Sequence, residues 1–175
     1  MPQLMIRPGR EELLQFLEEK LRNKFIIACV GSPLRSDDRA GLEVCELLRR
    51  KAIIDSRLIE CEYGLETCLD KIIRLKARGI IMIDAGYAEN ISPGTIIVSS
   101  IENIRESFTL ATTHNIPIRL VLKVLESEAH IKDFYVVAII AERLEIGMRL
   151  SRRVREAVED LTEIVWEALT RTRQE

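Results

Sequence analysis

Leu13, Leu14, Phe16, Leu17 and Leu21 recur at helical spacing between Arg10 and Arg22, with Glu and Lys between them. This pattern predicts an amphipathic helix packed on the outside of a domain. Phe25-Ile26-Ile27-Ala28-Cys29-Val30 is an uninterrupted apolar run that stops at Gly31, the habit of a strand covered on both faces. Leu58-Ile59 with its flanks, Ile80 to Ile83, and Phe134 to Ile140 read the same way. Helical patterns fill 40–52, 66–77 and 115–127, and a long one closes the chain over 151–171. Strands alternating with helices predict an α/β three-layer sandwich, with a mostly parallel, twisted central sheet flanked by helices. Thr95 to Ser99 follows Asp84 too closely for a helical crossover, so it is expected to pair antiparallel and make the sheet mixed. There is no internal repeat, low-complexity tract or Pro/Gly/Ser-rich linker. The expectation is one domain over 1–175, with a helical amino-terminal extension (1–24) ahead of the α/β part (25–175).

Composition narrows the partners. The 175 residues are 47% apolar and 31% charged, with a formal net charge of −2. No basic field invites a phosphate backbone, so a nucleic-acid partner is not expected. No apolar run reaches the roughly 18–20 residues needed to cross a bilayer, and the amino terminus turns charged before a signal-peptide stretch forms. The expected location is therefore the cytoplasm, with no membrane association. Cys29, Cys45, Cys61 and Cys68 form neither a CxxC pair nor a zinc-module spacing, and each sits among apolar residues. They read as small buried hydrophobes in a reducing compartment.

In open α/β sheets, function collects outside the carboxyl ends of the strands. After the first strand the chain reads Gly31-Ser32-Pro33-Leu34-Arg35-Ser36-Asp37-Asp38-Arg39-Ala40-Gly41. Ser36 or Asp37 is placed to cap the helix that starts near Asp38, and acidic residues also decorate helix starts without further purpose. Adjacent helical side chains diverge, so at most one of the two carboxylates should face a crevice. Asp84 ends the apolar strand IIMIDA, where packing does not explain a charge. His114 lies in the polar string Thr112-Thr113-His114-Asn115 ahead of a helix, whereas His130 sits in a polar stretch and reads as a surface residue. Asp38, Asp84 and His114 together offer two hard oxygens and one imidazole, a set suited to nickel, zinc or cobalt rather than calcium. Neither a GxSxG elbow nor a GxGxxG fingerprint is present, and no organic cofactor is expected.

Three of these segments carry a family resemblance. VGSPLRSDDRAG resembles the GNxLxxDDGxG-type opening of the hydrogenase maturation endopeptidases, and IIMIDAGYAENISPGTI is similar to their strand ending in Asp-Ala followed by Pro-Gly. ATTHNIPI is similar to their Ser/Thr-Thr-His box, and its Asn-Ile-Pro ending resembles the branch serving energy-converting nickel–iron hydrogenases. IECEYGLET resembles that branch's acidic loop, with Glu60 and Glu66 at the acidic positions. The resemblance runs from about Phe25 to Ala141, with the order of the boxes kept.

The resemblance implies a metal-binding cleft with Asp38, Asp84 and His114 as ligands. Gly31, Ser32, Asp37, Arg39 and Thr113 would line that cleft. It implies an endopeptidase that removes the carboxyl-terminal extension of a hydrogenase large-subunit precursor after nickel insertion, the nickel being supplied by that substrate. Two positions depart from the family pattern: Ser32 stands where Asn is usual and Arg39 where Gly is usual. Arg39 is expected to set a fixed positive charge beside Asp38. Two rivals follow, a relative that binds precursor without cutting it and a receiver-like signalling domain. The latter fits worse, because six residues separate Val30 from Asp37 and FYVVAIIAER ends without a lysine.

Overall fold

The fold is a mixed sheet with helices on both faces, as the alternating pattern predicts. The computed structural model describes residues 4–104, 108–110 and 117–173. The strands are β1 (Leu4–Ile6), β2 (Phe25–Gly31), β3 (Leu58–Glu62), β4 (Gly79–Tyr87), β5 (Ile96–Ser100), β6 (Thr109–Leu110) and β7 (Asp133–Ile140). The α-helices are α1 (Arg10–Arg22), α2 (Ala40–Arg50), α3 (Leu69–Leu75), α4 (Ile118–Ala129) and α5 (Arg152–Arg171). Strand order is β1-β5-β7-β4-β2-β3, with β6 paired to β4 off this path. The centre, β7-β4-β2-β3, is parallel, and β5 joins β7 antiparallel as the short crossover requires. Two short strands were not anticipated: β1 pairs antiparallel with β5, and β6 with the end of β4. Neither is long enough to show a period-2 pattern in sequence.

The alternation within β2, β4 and β7 splits the core in two. Phe25, Ile27, Ile81, Ile83, Val137 and Ile139 face α1, α2 and α5. Ile26, Ala28, Ile80, Met82, Val136 and Ala138 face α3 and α4. The segment preceding β2 is built into this frame. Leu13, Leu14 and Leu17 of α1 are fully buried, and β1 extends the sheet. None of the described helices is long and apolar enough to cross a membrane.

The cysteines depart from expectation. All four are buried, but they are paired: Cys29 with Cys45 and Cys61 with Cys68, at Cα separations of 6.1 and 5.6 Å. Both separations lie in the range a disulfide spans. The first bridge joins β2 to the helix α2 packed on it. The second joins β3 to the 3-10 turn Leu65–Cys68 that follows it. These contacts are set by packing rather than by a recognisable motif, and the inference of a reducing compartment loses its basis.

The end of α5 is tied down by a polar cluster. Arg57 clamps Asp55 with Nε and Nη2 at 3.0 and 2.8 Å, and it also donates to Thr172 Oγ1 and the Leu169 carbonyl. Arg173 approaches Asp55 at 3.3 Å. Burial pushes the Asp55 carboxyl up, but the hydrogen bonds from Arg57 and the charges of Arg57 and Arg173 outweigh it and hold the carboxyl below its usual value. A carboxyl lowered by folding stabilises the native state above its unfolded pKa and loses that contribution as pH falls through the folded one. Thermal melts of Asp55→Asn are therefore expected to lie below those of the native chain at neutral pH and to converge with them below about pH 4.

Candidate active site

The carboxyl ends of β2 and β4 adjoin, and the first acidic box is folded back onto them. Cys29 pairs with Ile83, which sets Val30 and Asp84 next along neighbouring strands. The chain then turns through the 3-10 segment Ser36–Arg39 into α2. Ser32 donates its N–H to the Asp38 carbonyl at 3.2 Å, closing the loop on itself.

Two glycines allow this close approach. A Cβ on Gly31 would lie 2.3 Å from the Asp38 carbonyl oxygen. A Cβ on Gly41 would lie 2.2 Å from the Val30 carbonyl oxygen and 2.3 Å from that of Ile83. Only glycine lets the start of α2 sit directly on both strand ends. Helix propensity favours alanine at Gly41 by about 1 kcal/mol, but the clash is with backbone, which cannot swing aside. Gly41→Ala is thus expected to destabilise the fold by roughly 1–3 kcal/mol in chemical denaturation, with overpacking outweighing propensity.

Asp38 and Asp84 are both buried at this junction, with relative exposures of 1% and 0%. Asp84 Oδ1 accepts the Ala85 N–H at 2.8 Å. Arg35 Nη1 stands 3.9 Å from Asp38 Oδ2. Asp38 lies in the 3-10 turn, and Asp84, expected to end its strand, is followed by three more residues of β4. Two carboxylates withdrawn from water are costly unless a cation, a proton or hydrogen bonds compensate them.

Asp37 is turned elsewhere. Its Oδ2 accepts the N–H groups of Glu142 and Arg143 and the Ser151 hydroxyl, each at 2.9 Å, while Oδ1 accepts the Ser151 N–H at 2.7 Å. Rather than lining a cleft, it fastens the 142–151 loop to the acidic box. The Ser36 N–H donating to the Gly147 carbonyl at 2.8 Å and the Gly147 N–H donating to that of Leu34 at 3.0 Å complete the zipper. Neither Ser36 nor Asp37 caps a helix: the 3-10 turn and α2 start without a side-chain cap. The role of Asp37 was not legible because its partners lie more than a hundred residues away.

Arg39 also departs from expectation. Its guanidinium donates to Glu43 at 3.0 Å and to the Met148 carbonyl at 2.8 Å, so it is committed to α2 and the 142–151 loop. The cation that reaches Asp38 is Arg35. Ser32 is buried and Gly31 closes β2. Glu60 pairs with Arg49 at 3.2 Å, and Glu66 is half-buried in the turn after β3, where the Tyr63 N–H donates to the Gly31 carbonyl at 2.7 Å. His130 is exposed at the end of α4. Thr113 and His114 lie outside the described residues. Among the described residues, no group of three or more His, Cys, Asp and Glu suited to a metal is found.

A profile of the HycI hydrogenase maturation proteases matches residues 62–168, a stretch that contains positions 84 and 114 and begins after the Gly31–Gly41 box. The chain belongs to the hydrogenase maturation protease family. Solved structures of such proteases share its fold. The HycI protease of Thermococcus kodakarensis KOD1 superposes with a TM-score of 0.71 at 21% identity, covering 89% of this chain and 99% of that one. The Escherichia coli endopeptidase HycI gives 0.67 at 23% identity over 82% and 91% of the two chains. The Thermococcus kodakarensis HybD protease gives 0.62 at 24% identity over 83% and 99%. No protein of curated function matches the chain in sequence. Membership removes the receiver-like alternative.

Proposed function

We propose that this endopeptidase removes the carboxyl-terminal extension of a nickel–iron hydrogenase large-subunit precursor once nickel is in place, with Asp38, Asp84 and His114 engaging the substrate's nickel. Processing would take place in the cytoplasm, and the Asn-Ile-Pro box favours a precursor of the energy-converting branch. What supports this reading is the burial of both Asp38, in the turn packed on Gly31 at the end of β2, and Asp84, one residue past the last β2–β4 pair. Chain reach supports adding His114. Leu110 pairs with Gly86, two residues beyond Asp84, and four residues span at most about 14 Å. Three residues after His114, Pro117 leads into α4, which covers the same sheet face as Ile80, Met82 and Asp84.

Two carboxylates and an imidazole suit nickel's borderline character. Bound through them, the precursor's nickel would fix the scissile peptide against the cleft, so that proximity lowers the barrier to water attack. The carboxylates serve here as ligands; they also provide the basis for an aspartic-type designation. Incubation of the protein with nickel-loaded and nickel-free precursor, followed by intact-mass measurement, tests the reading. Loss of a carboxyl-terminal peptide from the loaded form alone is expected. Equal cleavage of both forms, or of neither, contradicts it.

A further inference from the structure

Beside the acidic box, a groove of about 710 Å³ runs between α2 and α5 and is walled by the 143–150 loop. Its charge is lopsided. Arg39, Arg50, Arg143, Arg149 and Arg155 face it, with Glu43 and Glu159 as the lining carboxylates, on a chain whose net charge is −2. Three of these arginines are engaged: Arg39 with Glu43 at 3.0 Å, Arg50 with Glu46 at 3.2 Å, and Arg143 with Glu145 at 3.9 Å. Arg149 and Arg155 are exposed and make no ion pair among the described residues. Leu47 and Met148 add apolar surface to the groove's otherwise polar lining. On the rim, Met148 is 71% exposed, and Ile146 of the same loop is 88% exposed.

Crowding guanidinium groups along one groove costs self-repulsion that an anionic occupant relieves. The loop that presents Arg149 is held in place by Asp37 and by the Gly147 contacts, so the charges are fixed rather than free to disperse. Arg39, at the end of the groove, directly follows Asp38 in the chain.

We propose that this groove docks an acidic segment of the protein substrate, with Arg149 and Arg155 holding its carboxylates and Leu47 and Met148 accepting neighbouring apolar side chains. The inference rests on the reading of the adjoining junction as the protease cleft. A peptide fits better than a nucleic acid because Leu47 and Met148 offer apolar contacts and the whole chain is acidic, which opposes a polyanion beyond the groove. Guanidinium groups bind carboxylates in a forked geometry that lysine does not reproduce.

The test uses the full chain, its Arg149→Glu/Arg155→Glu variant and three fluorescent probes. These are an eight-residue peptide rich in Asp and Glu, its Asn and Gln counterpart, and a single-stranded ten-nucleotide DNA. The native chain should bind the acidic peptide, bind the amide peptide at least about tenfold more weakly, and lose the acidic peptide as salt rises. The variant should lose acidic-peptide binding. Its KM for the nickel-loaded precursor should rise about tenfold while kcat stays within about twofold, because two screened charge contacts act on docking alone. Equal binding of the two peptides, tighter binding of DNA than of the acidic peptide, or an unchanged KM would each overturn the proposal. If the native chain cuts no precursor, the proposed function fails, while the peptide arm still decides whether the groove selects carboxylates.

Discussion

Asp84→Asn is expected to abolish precursor processing while leaving the protein folded. The substitution conserves shape, and an asparagine Oδ1 can still accept the Ala85 N–H that Asp84 accepts at 2.8 Å. What it removes is a negative charge from a fully buried site within β4, just beyond the last residue of β4 paired to β2. Burying charge is costly, so stability should fall by no more than about 1 kcal/mol and can rise. A carboxylate that ligates the substrate's metal is a different matter, since losing it forfeits several kcal/mol of transition-state stabilisation, on the order of a thousandfold or more in rate. His114→Ala should give a loss of the same order, and the double variant should be no worse than the single ones, as for groups that act as a unit. Single-turnover processing followed by mass measurement, with thermal melts as the folding control, reads all three variants. Additive losses in the double variant would separate the two residues into different functions.

Asp37→Asn should produce the opposite signature, a large loss of stability at a residue adjacent to the proposed ligand. Both Asp37 oxygens accept hydrogen bonds, from three backbone N–H groups and one hydroxyl. Asparagine would turn an NH2 group towards donors at one oxygen position, exchanging attraction for repulsion. Breaking a buried, charge-assisted network of this kind costs roughly 3–5 kcal/mol. Urea denaturation should show that loss. The loop carrying Arg143, Met148 and Arg149 should become accessible to protease before the rest of the chain unfolds. An Asp37→Asn protein as stable as the native one would mean that the 142–151 loop is held by something other than this carboxylate.

How much of this could be read from the chain depends on distance along it. β2, β4, β7 and the five α-helices among the described residues follow from apolar runs and helical periods that are complete within short windows, so their existence was legible within a few residues of the observed bounds. β1 and β6 are short edge pieces whose strand state comes from the partner, β5 or β4, and not from their own pattern. Asp84 stood out because packing does not account for a charge after an apolar run, and Asp38 through the acidic box of the family resemblance; both are buried in the fold. Asp37 looked like a second cleft residue because only the diverging side chains of neighbours were visible. Its actual partners, Glu142, Arg143 and Ser151, arrive from the far end of the chain. The Cys29–Cys45 and Cys61–Cys68 pairs were hidden for the same reason: each depends on how an element packs on the preceding strand. Arg39 shows the limit of adjacency as evidence. It follows Asp38 in the chain, yet its charge is spent on Glu43 and the Met148 carbonyl, while Arg35 is the one that reaches Asp38.

The central claim is that the substrate's metal is shared by side chains from three separate segments of this chain. X-ray absorption at the nickel edge, recorded on nickel-loaded precursor before and after binding to the protein with the scissile bond blocked, addresses it directly. Oxygen and imidazole nitrogen ligands should join the nickel on complex formation, with the imidazole signal lost in the His114→Ala complex and the oxygen contribution reduced in Asp84→Asn. A nickel spectrum indifferent to binding and to both substitutions would contradict the account.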